Sequence, residues 1–396
     1  MEEGQDVQAL ANDIDAALTE NGNILELRSS RESSQQIVST TDLLRPDNAL
    51  LAEVVADRRA LFVVTPTVNA LYGAQLKRYI ESALEQPGSE LLVLDVTEAK
   101  KDLNGVDVVV TRATQMGLDR ESPIVAIGGG VCLDIVGVSA ALFRRGVPNI
   151  KVPTTLVGLI DAGVGTKNAV NFGGKKNLLG TFSSPEASLL DSKFLSTLPI
   201  RYIRAGAAEM FKMAIISDPH LFHILRAHSD EFQQSRFQAP RTAAAEAIKR
   251  SVVEILRELS LNLYERSKQR VLDFGHTFSP YIESESGFRV SHGEAVSIDM
   301  AISTEISYAL GIVDEGVRRQ ILDALAGFSL PLSWSGIDAV EMYSSLRSIR
   351  QHRNGALHLV APSALGHPVF LEDEDIDESL IKSCIENLAE RKRAYS

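Results

Sequence analysis

Two histidines, His276 and His292, lie sixteen residues apart in the run R-V-L-D-F-G-H-T-F-S-P-Y-I-E-S-E-S-G-F-R-V-S-H-G-E of residues 270–294, each beside a glycine. Far upstream, in A-G-A-A-E-M-F-K, Glu209 and Lys212 share one helical face at i, i+3. Two neutral imidazoles and one carboxylate, with a fourth position open to water or substrate, are the donor set of a catalytic zinc-type ion. Spacing alone leaves open that both histidines are ordinary loop or core residues.

Elements far apart in the chain must bring these groups together. From about residue 36 to 150, the runs L-F-V-V-T (61–65), L-L-V-L-D (91–95), V-D-V-V-V (106–110) and I-V-A-I-G (124–128) read as short strands. Helix-like stretches such as 70–84 lie between them, so the pattern predicts a parallel sheet of the Rossmann kind. The fourth run ends in Gly128-Gly129-Gly130 and leads into V-C-L-D-I-V-G. Glycines between a strand and a helix let the backbone approach a pyrophosphate at the helix N-terminus; a tight turn is the alternative. The apolar segment 151–170 is interrupted by Asp161 and Lys167, charges that are costly to bury unless paired or functional. G-G-K-K-N-L-L-G (173–180) reads as a phosphate-binding loop or as a solvated basic turn.

After Pro199 the texture turns helical, with 3.6-residue periodicity over 203–228, 240–265, 295–311, 315–326 and 376–394. The expected organisation is an N-terminal arm (1–35), an α/β domain (36–200) and a helical domain (201–396), with the site in the cleft between the last two. Leu10, Ile14 and Leu18 stand at helical spacing, predicting an amphipathic arm or a frayed tail. Arg350, His352 and Arg353 form a basic cluster ahead of the short apolar strand L-H-L-V-A-P; it would close over an anionic substrate or stand as a solvated loop.

Composition bounds the function. The 396 residues carry a net charge of −12, which argues against a nucleic-acid partner. Only two cysteines, Cys132 and Cys384, leave no disulfide framework or thiolate cage, which fits a reducing cytoplasm. No apolar run approaches the ~18 residues of a membrane span. The acidic start M-E-E-G-Q-D lacks the basic flank and apolar core of a signal peptide.

The succession G-G-G-V-x-x-D, P-T-T-L-x-x-x-x-D-x-x-x-G-x-K, G-K-K-N, A-A-E-x-x-K, G-H-T and H-G-E resembles the sugar phosphate cyclases, whose best-known member is 3-dehydroquinate synthase. The resemblance spans roughly residues 36 to 390. It implies NAD across Gly128, Gly129, Gly130 and Asp134, with Thr154, Thr155, Lys176, Asn177, Phe194 and Thr197 lining the same site and Glu98 and Lys101 near the nicotinamide end. It implies a zinc or cobalt ion on Glu209, His276 and His292. Asp161, Lys167, Asn177, Lys212 and Asp273 would face the substrate, with Lys167, Asn177, Arg350 and Arg145 holding its phosphate. Arg145 would come from the neighbouring subunit of a homodimer.

Departures from the dehydroquinate synthase pattern point to a branch. Asp273 stands where those enzymes carry Asn, Pro280 where they carry a second His, and Gln269 where they carry Arg. The lysine expected near 255–258 is missing from I-L-R-E, and the late lysine pair is replaced by Arg350 and Gln351. Pro66 occupies the place of an adenosine-side acid. D-F-G-H-T-F-S-P and N-L-Y-E (262–265) are similar to the sedoheptulose 7-phosphate cyclases. The implied reaction is transient oxidation by NAD, phosphate elimination, reduction and aldol closure to 2-epi-5-epi-valiolone. Its 2-epi stereoisomer, desmethyl-4-deoxygadusol or dehydroquinate are alternative products. A polyol dehydrogenase dependent on NAD and a metal is the rival from another class.

Overall fold

Six parallel strands form the floor of the N-terminal half, and their order explains where a cofactor fits. The computed structural model describes residues 16–21, 23–29, 32–84, 86–265, 267, 269–352 and 357–394. A two-stranded antiparallel hairpin, β1 (Ala16–Asn21) and β2 (Ile24–Ser29), comes first. This corrects the helical spacing expected for the arm: Leu18 lies in β1, in register with Leu27, while Leu10 and Ile14 fall outside the described residues. The period-2 alternation of Leu25-Glu26-Leu27-Arg28 is the stronger local signal.

The sheet strands are β3 (Gln36–Thr40), β4 (Leu61–Val64), β5 (Glu90–Val93), β6 (Ile124–Gly128), β7 (Asn149–Pro153) and, after the hairpin β8 (Lys167–Phe172)/β9 (Lys175–Phe182), β10 (Ala187–Asp191). Their order is β3-β10-β7-β6-β4-β5, all pairs parallel. Helices α1 (Leu50–Val55), α2 (Pro66–Ala83), α3 (Leu103–Gln115) and α4 (Gly130–Leu142) connect them. β4 and β6 are buried throughout, as continuous apolar runs in a parallel sheet should be. From β4 the chain moves to β5 on one side; from β6 it moves to β7 on the other. Ligands bind outside the carboxyl ends of strands at such a reversal, here at Thr65 and Gly128–Gly130.

The expected strand 106–110 is instead the middle of α3. Asp102 caps this helix by accepting the Asn104 amide, and Val106, Val109 and Ala113 are buried while Asp107 and Val108 face outward. The i, i+3, i+7 spacing of the buried positions overrides the β-propensity of four valines.

The second half packs α5 (Ile200–Ile216), α6 (Pro219–Ala227), α7 (Ser229–Ser235), α8 (Arg241–Asn262), α9 (Ser279–Glu285), α10 (His292–Ala309), α11 (Glu315–Gly327), α12 (Ala339–His352) and α13 (Glu378–Ala394). One hairpin, β11 (Leu359–Ala364)/β12 (His367–Leu371), joins the helices, its first strand being the short apolar strand expected there. The architecture is the expected α/β sheet half followed by a helical half. α5 and α10 are buried on nearly every face along most of their length, so they form the centre of the helical half. Among the described residues, no helix is long and apolar enough to cross a membrane.

Candidate active site

Glu209 lies in the buried centre of α5, with 1% of its surface exposed. His292 is the first residue of α10, and the next residue decides how closely the two helices meet. A Cβ on Gly293 would fall 2.3 Å from Ala205 Cα and 2.7 Å from its Cβ, so only glycine lets α10 start against α5. Glu294 closes that helix end, accepting the Ser291 backbone N–H at 2.8 Å and its hydroxyl at 2.7 Å. His276 follows a short turn at Val271–Asp273, and Gly275 before it has φ +76°, a left-handed conformation that favours glycine. Phe274 and Phe278, both fully buried, anchor the loop on either side.

The three side chains converge. His292 Nε2 lies 3.1 Å and His276 Nε2 3.7 Å from the same oxygen, Glu209 Oε1. One donor atom from each residue lies within 4.8 Å of the other two. The remaining ring nitrogens are engaged: His276 Nδ1 is 3.1 Å from the Phe274 carbonyl, and His292 Nδ1 is 2.9 Å from Glu283 Oε1. Nδ1–H donation to those acceptors directs both Nε2 atoms at Glu209, where each would offer a lone pair to an ion once its nitrogen is deprotonated. Lys212 Nζ is 2.7 Å from Glu209 Oε2, yet off hydrogen-bonding direction, so that buried oxygen has no hydrogen-bond partner among the described residues.

Electrostatics sharpen the picture. Burial pushes the Glu209 carboxyl up, but the Lys212 ammonium and the two imidazoles outweigh it and hold the group well below the usual carboxylate range. Burial and the nearby Lys212 cation depress His276 to about 4. Burial also acts against His292, but hydrogen bonds to Glu209 and Glu283 push it up to about 10. Its side chain keeps 47% of its surface open, so solvent screening trims that shift. Burial works against the charge on Lys212, yet Glu209, Asp161 and Asp273 keep its pKa raised. A divalent ion fits this set: two imidazole nitrogens with their far sides fixed, one ionised carboxylate with an unsatisfied oxygen, and an open side.

Around the triad, the sequence candidates fall into two networks. In one, Lys167 Nζ pairs with Glu265 at 2.7 Å; Arg270 bridges Glu265 and Asp273, reaching the latter at 2.8 Å. Asp161 sits on the π-helical turn Gly158–Ala162. In the other, buried Lys101 binds Asp134 at 2.5 Å and Asn177 at 2.7 Å, and Asn171 links Asn177 (2.9 Å) to Glu98 (3.2 Å). Burial raises the Asp134 pKa against the pull of Lys101. The Gly128 carbonyl accepts the Thr154 amide at 2.9 Å, and a Cβ on Gly129 would meet Thr155 at 2.9 Å. Phe194 packs edge-on against Tyr72, whose hydroxyl is 2.8 Å from Thr197.

Three candidates stand apart. Lys176 reaches Glu283 (3.1 Å) and the Phe288 ring (4.4 Å), on the helical half. Arg145 lies beyond α4 at φ +68° and lines a surface cleft with Thr166, Phe182 and Tyr264, with none of Glu209, His276 and His292 in its walls. Arg350 is on α12 and its side chain lies outside the described part of the structure, as do His352's side chain and all of Arg353.

Sequence reading missed Glu283, Glu265 and Lys151. Lys151 is fully buried on β7, and its ammonium donates to the Ala162 and Gly165 carbonyls at 2.9 and 3.1 Å, fixing the turn that carries Asp161. Desolvation lowers its pKa to about 8. A lone lysine in an apolar strand was its legible signal; Glu283 and Glu265 had none beyond being acids near the histidines.

The fold and this site define a class. The 3-dehydroquinate synthase N-terminal family model matches residues 91–205 and the C-terminal one residues 206–351, so the chain belongs to the 3-dehydroquinate synthase family. Within it, the chain is 40% identical over 365 residues to the 2-epi-5-epi-valiolone synthase of Streptomyces glaucescens, covering 91% of this chain and 93% of that one. The solved structure of ValA, the 2-epi-5-epi-valiolone synthase of Streptomyces hygroscopicus subsp. jinggangensis 5008 with NAD+ and Zn2+ bound, superimposes with a TM-score of 0.87 at 36% identity, covering 92% of this chain and 99% of that one. The 3-dehydroquinate synthase of Synechococcus sp. (strain CC9605) is 35% identical over 363 residues, 90% of this chain and 95% of that one.

Proposed function

We propose that this chain is a sugar phosphate cyclase that converts sedoheptulose 7-phosphate to 2-epi-5-epi-valiolone, with NAD and a zinc or cobalt ion. One observation carries the reading. Glu209, His276 and His292 converge within 4.8 Å in a chain 36–40% identical, over about nine-tenths of its length, to five proteins of that name. The division of labour we propose is NAD on residues 36–200 and metal and substrate on 201–396, with 1–35 as an arm.

When bound, NAD supplies a reversible hydride acceptor and the ion polarises a substrate oxygen. The chain's own residues do the rest. Glu209, His276 and His292 hold the ion. The Gly128–Gly130 turn at the head of α4 offers backbone N–H groups to the pyrophosphate; we assign Asp134, Lys101, Glu98, Thr154, Thr155, Phe194 and Thr197 to the same cofactor, with Lys176 reaching it from the β8/β9 hairpin. Lys167 is more than half exposed and, among the described residues, pairs with Glu265, so it can exchange that carboxylate for the substrate phosphate; we assign Asn177 and Arg350 to the same phosphate. Lys212 and Asp273 orient hydroxyls, Asp273 being fixed by Arg270. Asp161 relays a proton.

The working form we propose is a cytoplasmic homodimer in which Arg145 reaches the phosphate in the neighbouring copy. Exposed Phe182 and Tyr264 stand beside Arg145 in its cleft, and Phe172 and Leu178 lie exposed on the same hairpin, an apolar surface suited to a second copy.

The test is to incubate the protein with NAD, zinc or cobalt, and sedoheptulose 7-phosphate, then to measure released phosphate and identify the ring by NMR. Phosphate release with a valiolone-type ring is expected. A steady rise in NADH absorbance with a polyol would favour a dehydrogenase, and turnover only with the seven-carbon shikimate precursor would favour a dehydroquinate synthase.

A further inference from the structure

We infer that Glu283 is a positioning residue that ties the metal ligand His292 to the β8/β9 hairpin, so that metal affinity depends on a contact between the two halves of the molecule. Glu283 belongs to the short helix α9 and is largely buried, its side chain 12% exposed. Both its oxygens are used. Oε1 is 2.9 Å from His292 Nδ1 and Oε2 is 3.1 Å from Lys176 Nζ. His292 Nε2 in turn faces Glu209 at 3.1 Å, and Glu209 faces Lys212. A chain of direct contacts therefore runs from Lys176 in the sheet half through Glu283, His292 and Glu209 to Lys212 at the centre of the helical half. Lys176 is also held over the Phe288 ring at 4.4 Å, so the hairpin is fastened to the helical half at two points beside the ligand.

A carboxylate on the far nitrogen of a ligating imidazole fixes its tautomer and ring angle and raises its basicity, and losing such a partner costs 10–100-fold in metal affinity in comparable sites, roughly. Glu283 differs from a simple outer partner because its second oxygen is committed to the other half of the protein. The Lys176 contact limits the angles that the carboxylate can take and so holds it against His292.

This inference rests on the metal reading of Glu209, His276 and His292. Zinc affinity is measured without substrate, by competition with a chromophoric chelator, in the parent chain and in Glu283→Ala, Glu283→Gln, Lys176→Met and the double variant Glu283→Ala/Lys176→Met. Circular dichroism and the melting temperature check the fold of each. We expect Glu283→Ala to weaken zinc binding about 10–100-fold, and Glu283→Gln, which still accepts from Nδ1–H, to weaken it less. Lys176→Met should weaken it a few-fold alone and not at all in the Glu283→Ala background. Parent-like affinity in a folded Glu283→Ala variant overturns the inference, as does a Lys176→Met effect of equal size with and without Glu283. If Glu283→Ala does not fold, the near-isosteric Glu283→Gln decides: zinc binding identical to the parent together with a Lys176→Met effect undiminished in the Glu283→Gln background overturns it. A parent chain that binds no zinc would instead sink the metal reading itself.

Discussion

His292 Nε2 lies 3.1 Å from the Glu209 carboxylate across 83 residues of chain, and the residue after this histidine is the glycine that lets the two helices touch. One helix contact thus sets the position of two of the three proposed ligands. The third, His276, arrives on a loop fixed by a glycine at positive φ and two buried phenylalanines. Removing either donor from this cluster should therefore show in metal content before anything else. Glu209→Gln and His276→Ala are each expected to lose bound metal together with turnover, and elemental analysis of the purified variants checks it. Metal content equal to the parent's in either variant contradicts the ligand assignment.

Zinc binding should release a proton. In the metal-free chain His292 is raised to about 10 by Glu209 and Glu283, so it is protonated near neutrality, while His276, lowered to about 4, is already neutral and Glu209 is already ionised. Ligation needs His292 neutral, so about one proton leaves per ion bound near neutral pH, and affinity rises with pH until His292 has lost its proton. Titration calorimetry in buffers of different ionisation enthalpy measures that number. No buffer dependence would mean that His292 binds no proton in the free protein.

Asp299 gives a stability prediction of opposite sign to the usual carboxylate. It is fully buried on α10 and accepts the Phe278 and Ser279 amides at 2.5 and 2.8 Å, securing the segment that follows His276. Burial raises its pKa from 3.8 to about 6 despite those bonds. Its contribution is fully present below the unfolded pKa of 3.8 and is lost as pH rises through about 6. The loss is on the order of 3 kcal/mol. Asp299→Asn keeps an oxygen for both amides and should lack this step. The difference between parent and variant urea midpoints, followed from about pH 4 to 8, checks it. A difference that stays constant over that range is the contrary result.

Lys167→Ala separates function from stability. The Lys167–Glu265 pair is surface-exposed on the lysine side, and Glu265 keeps Arg270 when Lys167 is removed. The variant should unfold within about 1 kcal/mol of the parent. Its kcat/KM for a phosphorylated substrate should fall by about 100-fold or more, because a charge-assisted phosphate contact is gone. Parent-like turnover would remove Lys167 from the phosphate site.

Much of the site was legible because it is written in short runs. Gly275-His276 and His292-Gly293 pair each histidine with the glycine its backbone requires, and the buried strands β4 and β6 stand out as continuous apolar runs bounded by Thr65 and by the glycines. Where the reading failed, two local signals competed. Residues 106–110 carry β-branched side chains at helical burial spacing, and only the sheet beneath α3 shows which periodicity is used. At the N-terminus, helical spacing of Leu10, Ile14 and Leu18 competed with the period-2 alternation of residues 25–28, and over the described residues the strand pair β1/β2 forms.

The amino-acid sequence by itself determined which residue types are available for chemistry and that strands and helices alternate before a helical half, since propensity, periodicity and glycine placement act over a few residues. Only the tertiary structure decided that Glu283 rather than Glu285 or Glu294 meets His292, that Glu265 holds Lys167, and that Lys151 is buried behind the Asp161 turn. Acids and lysines at ordinary spacing look alike along the chain. Which of them meet is set by how helices and strands pack across long separations, and those contacts have no local signature.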